Sequence, residues 1–175
     1  MKNIIKTIGI LLISICCLSV QAQTSKADKK AAKLADLKRI IDGKNFVFKV
    51  NQAMPLSGQM INLTSSFYDL KLANDSLTAF LPYFGVSYSA PIDPTQGGIK
   101  FTTTKFEQKI TQKKNGNIVV DLKPIGLGIR PPSDVAYMVL TTSPGGYASL
   151  QVILVNRQSI SFTGILEEVK VKAVS

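Results

Sequence analysis

From Ser25 to Gly43 the apolar residues recur at spacings of three and four, and from Asn45 onward they alternate with polar ones in short runs. This change of period, from 3.6 to 2, predicts one helix followed by an array of strands. Over Ser25 to Gly43, the residues Ala27, Ala31, Leu34, Leu37 and Ile41 fall on one face. Ser25 with Asp28 resembles a capping box, and Gly43 suits the left-handed position that ends a helix. Such a helix has to dock its stripe on something apolar.

The strand signals follow in order. Phe46, Phe48 and Val50 share one face, and Met60 to Thr64 reads as a short strand. Tyr68, Leu70 and Leu72 lead through an Asn74-Asp75 turn to Leu77, Ala79 and Leu81, which predicts a hairpin. Ile99, Phe101 and Thr103 restart the alternation, and Phe106, Gln108 and Ile110 carry it to Asn115-Gly116. Asn-Gly between alternating runs is a strong hairpin signal because both positions tolerate positive φ. Ile118, Val120 and Leu122 return from it. Val135 to Thr141 is a fuller apolar run, which predicts deeper burial, and Pro144-Gly145-Gly146 turns it into Leu150, Val152 and Leu154. Ile160, Phe162 and Gly164 form the last strand.

Two segments, Pro82 to Gly98 and residues 123–134, break the pattern with prolines and glycines and read as ordered loops. Eight to ten short strands after one helix predict an all-β domain, either an antiparallel barrel of the lipocalin-like kind or a sandwich. Closure removes exposed strand edges, which favours the barrel. Its interior is then filled by side chains or holds one small ligand.

The N-terminus changes the chemical picture. Lys2 and Lys6 precede an apolar run from Ile8 to Val20, and Val20-Gln21-Ala22 fits a signal-peptidase site. The run is shorter than the roughly 20 residues of a membrane-spanning helix, and none of that length follows. The expected organisation is a signal peptide over 1–22, an amphipathic helix over 23–43 and one β domain over 44–175, periplasmic or extracellular after cleavage near Ala22, with no transmembrane helix in the mature chain.

Both cysteines, Cys16 and Cys17, lie in that leader, and bulky residues precede each, which favours simple cleavage over a lipid anchor. The chain has no His, so the mature protein lacks thiol and imidazole together. Disulfides, soft-ligand metal sites and Ser-His or Cys-His nucleophile pairs are excluded, and no cofactor is implied. Glu167 and Glu168 adjoin one another but on a strand point to opposite faces, so they do not make a catalytic carboxylate pair. The expectation is a protein that is not an enzyme.

Formal net charge is +10, and residues 24–49 hold eight basic side chains against Asp28, Asp36 and Asp42. The predicted helix carries no aromatic residue and no nucleic-acid-reading motif appears, so nucleic acid is not an expected partner. A solvated outer face is the ordinary role of such a helix.

Four segments together carry a family likeness: Pro55-Leu-Ser-Gly-Gln-Met-Ile-Asn-Leu-Thr64, Leu81-Pro-Tyr-Phe-Gly-Val-Ser-Tyr-Ser-Ala-Pro91, Gly97-Gly-Ile-Lys-Phe101 and Asn156-Arg-Gln-Ser-Ile-Ser-Phe-Thr-Gly164. In their order over roughly residues 30–167 they resemble domain of unknown function 4251, a family of small β-rich exported proteins. The resemblance implies fold and location, and brings no activity.

The candidate site is the loop Leu81 to Gly98, where Tyr83, Phe84 and Tyr88 stand beside prolines and form a rigid amphipathic rim or fold back as a plug over the core. Arg157, between the last two strands, offers a planar fork to a carboxylate or sulfate, or else satisfies backbone carbonyls or a nearby acid; Arg130, before Pro131-Pro132, has the same two roles open to it. The functional expectation is a non-enzymatic binding module for a small hydrophobic or amphipathic ligand or a peptide. The alternative is a structural or protein-interaction component of the cell envelope.

Overall fold

In the computed structural model, the described residues are 28–56, 58–65, 67–90 and 97–169. The expected leader and the Ser25 capping box lie outside them. Residues 28–42 are helical (α1). Ten strands follow: β1 (Phe46–Pro55), β2 (Ile61–Asn62), β3 (Asp69–Ala73), β4 (Ser76–Leu81), β5 (Ile99–Thr103), β6 (Phe106–Gln112), β7 (Ile118–Pro124), β8 (Val135–Thr142), β9 (Tyr147–Leu154) and β10 (Ile160–Glu168).

All pairings are antiparallel. Nine strands form one path, β5-β4-β3-β1-β10-β9-β8-β7-β6, with the short β2 added beside β1. The two outermost strands, β5 and β6, follow each other in the chain with only Thr104 and Lys105 between them. The polypeptide itself therefore crosses the seam, and the sheet curls into a nearly closed barrel. β1 and β10 meet at its centre, Phe46 opposite Glu168 and Pro55 opposite Ile160.

Alternation built this interior. Phe46, Phe48, Leu70, Leu72, Leu77, Leu122, Met138 and Phe162 are inaccessible to solvent and belong to one continuous apolar cluster. Each such side chain contributes about 1.5–3 kcal/mol by leaving water. Of the two interiors expected from the sequence, the filled one is present. The apolar run of β8 departs from its expected deep burial: Val135, Met138 and Leu140 face inward while Ala136 is exposed and Tyr137 and Val139 are half-exposed. Outside a barrel there is only water, so a strand buries one face whatever its composition.

One end of the barrel is closed by α1. Leu37 and Ile41 are buried in the core and Leu34 and Ile40 pack against it. The helix does not end as expected, because the left-handed residue is Lys44 (φ 49) and not Gly43. Asn45 N–H donates to Ile40 C=O and Lys44 N–H to Ile41 C=O, the paired bonds that place the left-handed position at Lys44. Lys44 lies near Asp75 (3.7 Å), and Arg39 donates to both carboxylate oxygens of Glu168 (2.8 and 2.9 Å). Arg39 holds the Glu168 carboxyl below the ordinary glutamate range, chiefly by that hydrogen bonding.

The hairpins at this end are tight. Asn74 and Asp75 both have positive φ and connect β3 to β4 as a two-residue turn. The Asn115-Gly116 turn differs from expectation, since only Gly116 is left-handed; Gly116 N–H donates to Lys113 C=O and Lys113 N–H to Asn117 C=O. Ser143 to Tyr147 repeats the same pattern with Gly146 left-handed. Each is a type I turn followed by a left-handed glycine.

Candidate functional site

The opposite end has no helix among the described residues, and long segments cover it: 82–90 and 97–98 between β4 and β5, 125–134 between β7 and β8, and 155–159 between β9 and β10. Such segments carry unpaired backbone groups that need partners if they are to lie over a core. The partners come from each other. Tyr88 N–H donates to Asn156 C=O (2.9 Å) and Gln158 N–H to Val86 C=O (3.0 Å), so 86–88 and 156–158 form a two-bond antiparallel bridge. The Asn156 side-chain amide donates to Ile129 C=O, and Val155 N–H donates to Asp134 C=O (2.9 Å).

Arg157 sits at the centre of this arrangement and is only 5% exposed. Its Nε donates to the Asp134 carboxylate (3.0 and 3.2 Å), Nη2 reaches the same carboxylate, and Nη1 donates to Gly98 C=O (2.7 Å). Asp134 is fully buried. The guanidinium also lies 4.5 Å from the centre of the Tyr83 ring, whose hydroxyl donates to Val86 C=O (2.8 Å) and Gln158 C=O (3.0 Å). Partial burial pushes the Tyr83 phenol up, opposed by the nearby Arg157 charge.

Two glycines permit the close fit. A Cβ at Gly85 would come 2.4 Å from the Tyr83 hydroxyl, and one at Gly98 (φ 87) would come 2.6 Å from Leu81 C=O. Pro131 and Pro132 are joined by a cis peptide bond, and Pro132 C=O accepts from Lys100 N–H (3.0 Å). A buried ion pair of this kind, with hydrogen bonds filling its remaining valences, is costly to break from one side, by about 3–5 kcal/mol.

The structure thus divides the residues singled out from the sequence. Tyr83 and Arg157 come together inside the plug, where their polar contacts are with the protein's own chain. Phe84, Tyr88 and Arg130 lie outside it, Phe84 and Tyr88 on the surface of one loop and Arg130 exposed on another. Tyr88 is 69% exposed.

Asp134 was not anticipated, since nothing near it in the sequence points to Arg157, 23 residues away. Nor were Val86, Ile129 and Val155, which are exposed and lie on segments joined to one another by the bonds just described. With Phe84 and Tyr88 they are the exposed apolar side chains of the loop end, its apolar rim. Such a surface gains free energy when an apolar partner covers it.

Comparison with known proteins bears on the fold. The model of the family described as Domain of unknown function (DUF4251) matches residues 28–166. The barrel is similar to the crystal structure of a DUF4251 family protein from Bacteroides eggerthii DSM 20697, at 21% sequence identity and a TM-score of 0.55, over 79% of this chain and 91% of that one. No curated protein matches.

Proposed function

The chain belongs to the DUF4251 family, and from that premise we propose that it is an exported, non-enzymatic binding module that holds an amphipathic small molecule or peptide on the outside of its loop end. The observation that carries this reading is the apolar rim of Phe84, Val86, Tyr88, Ile129 and Val155, on loops tied to one another by hydrogen bonds. A filled barrel leaves no room for a ligand within, so the surface that takes a partner is an external one.

Loops whose backbone is already tied by hydrogen bonds lose little conformational freedom on binding, which favours association. Arg130 beside Ile129 supplies a charge for the polar end of an amphipath. No described helix is long and apolar enough to cross a membrane.

The test is a titration of isotope-labelled protein with laurate below its micelle concentration, and separately with an amphipathic helical peptide, followed by amide chemical shifts. Shifts are expected at 84–88, 129–130 and 155–158. The double replacement Tyr88→Ser with Ile129→Ser should weaken binding about tenfold or more while leaving the melting temperature close to that of the parent. Shifts spread through the strands, or none with either probe, would overturn the reading.

A further inference from the structure

On the outer wall of the barrel, well away from the loop rim, one row of the sheet is unlike the rest of this basic chain. Thr141 pairs with Ser149, Ser149 with Thr163, Thr163 with Gln52, and Gln52 with Asn62. Five adjoining strands therefore present hydroxyls and amides side by side at one level, with no charged residue among them. Two bonds already link the row: Thr163 Oγ1 donates to Gln52 Oε1 (3.0 Å), and Gln52 Nε2 donates to Asn62 Oδ1 (2.9 Å). Thr141 and Ser149 make no side-chain hydrogen bond to another described residue.

The backbone is adjusted to this row. The register of β1 against β10 shifts between Val50 and Gln52, so Asn51 is an inserted residue of a β-bulge. Strict alternation would turn Asn51 and Gln52 to opposite faces. The bulge leaves both on the solvent side and keeps Val50 and Ala53 in the core. Opposite the bulge is Gly164, where a Cβ would stand 1.9 Å from Lys49 C=O, so the two strands approach as only glycine allows. A groove of about 490 Å³ results, lined by Asn51, Gln52, Thr141, Ser149 and Thr163 and flanked by Tyr147. Tyr147 is 73% exposed, an aromatic face with nothing over it.

We propose that this groove binds a neutral saccharide. Hydroxyls and side-chain amides both donate and accept, as sugar hydroxyls do, and so match them without regard to which partner carries the hydrogen. A phosphate, sulfate or carboxylate ligand calls for Lys or Arg, and the lining has neither. An acyl chain calls for a continuous aliphatic lining, and among the lining residues Ala148 is the one aliphatic side chain. The exposed Tyr147 ring offers an apolar platform to the C–H face of a pyranose. The volume falls in the range of small-ligand sites, and an open groove of this kind binds weakly, on the order of 1 mM.

Amide shifts during titration of the labelled protein with maltotriose, cellotriose and chitotriose, each to about 10 mM, test this. At least one sugar should move the resonances of 51–52, 147–149 and 163 in a saturable way. Tyr147→Ala and Thr163→Val should each weaken that binding about tenfold without moving the melting temperature by more than a few degrees. Laurate should leave these resonances unmoved. Absence of a saturable shift at these residues with all three sugars, or binding that survives both replacements, would overturn the proposal, and neither result bears on the loop rim.

Discussion

The two ends of the barrel solve the same covering problem in opposite ways. At the helix end an apolar stripe was available, so Leu37 and Ile41 enter the core and the charges, Arg39 with Glu168 and Lys44 with Asp75, stay in water. At the loop end Tyr83 and Leu127 pack on the core, and the rest of the described cover is largely loop backbone whose polar groups need partners. There the charges go inside, as Arg157 with Asp134, and apolar side chains are left outside. A cover that uses its polar groups for closure has apolar surface to offer a partner. The helix end, with its apolar surface already satisfied, has mainly solvated charge to offer.

If that contrast is right, the largest single-residue loss of stability belongs to the loop end. Arg157→Met should cost about 3–5 kcal/mol in denaturant unfolding, because it leaves the Asp134 carboxylate buried without its partner. Adding Asp134→Leu should recover much of the loss, and failure to recover would place the cost in packing and not in charge. Next comes Ile41→Ala at the helix end, expected at about 2–4 kcal/mol through an ordinary cavity. Its cost should be insensitive to pH and salt, whereas an effect carried by surface ion pairs would weaken with salt. The smallest effect has the opposite sign: Lys44→Gly should stabilise by about 0.5–1 kcal/mol, since glycine takes the left-handed position without strain. A loss on that replacement would show that the Lys44 side chain contributes more than its weak, exposed pairing with Asp75 implies.

The same contrast explains how much of the molecule was readable in advance. Strand identities and the helix positions Leu34, Leu37 and Ile41 follow from periodicity, which each segment carries within itself, whereas Ala31 of the same stripe is exposed. The errors lie where the outcome depends on counting hydrogen bonds: Gly43 against Lys44 differs by one residue in the closing turn, and Asn115 against Gly116 by the choice between two hairpin types. Bulges are hidden for the same reason; Asn51 looks like any polar strand residue until its neighbours are known. The loop site was readable as a set of unusual residues but not as a division between plug and rim. That division depends on Asp134, which lies 23 residues from Arg157 in the chain and has no local pattern to link them.

The pairing of β1 with β10 at the middle of the sheet has a consequence for the life of the chain before it folds. The two halves of the barrel are joined through β1 and β10, far apart in the chain, so no closed core exists until β10 has been made. Contacts of such long sequence separation form slowly. Until β10 arrives, the edge of β1 that it covers stays open to pairing with other chains.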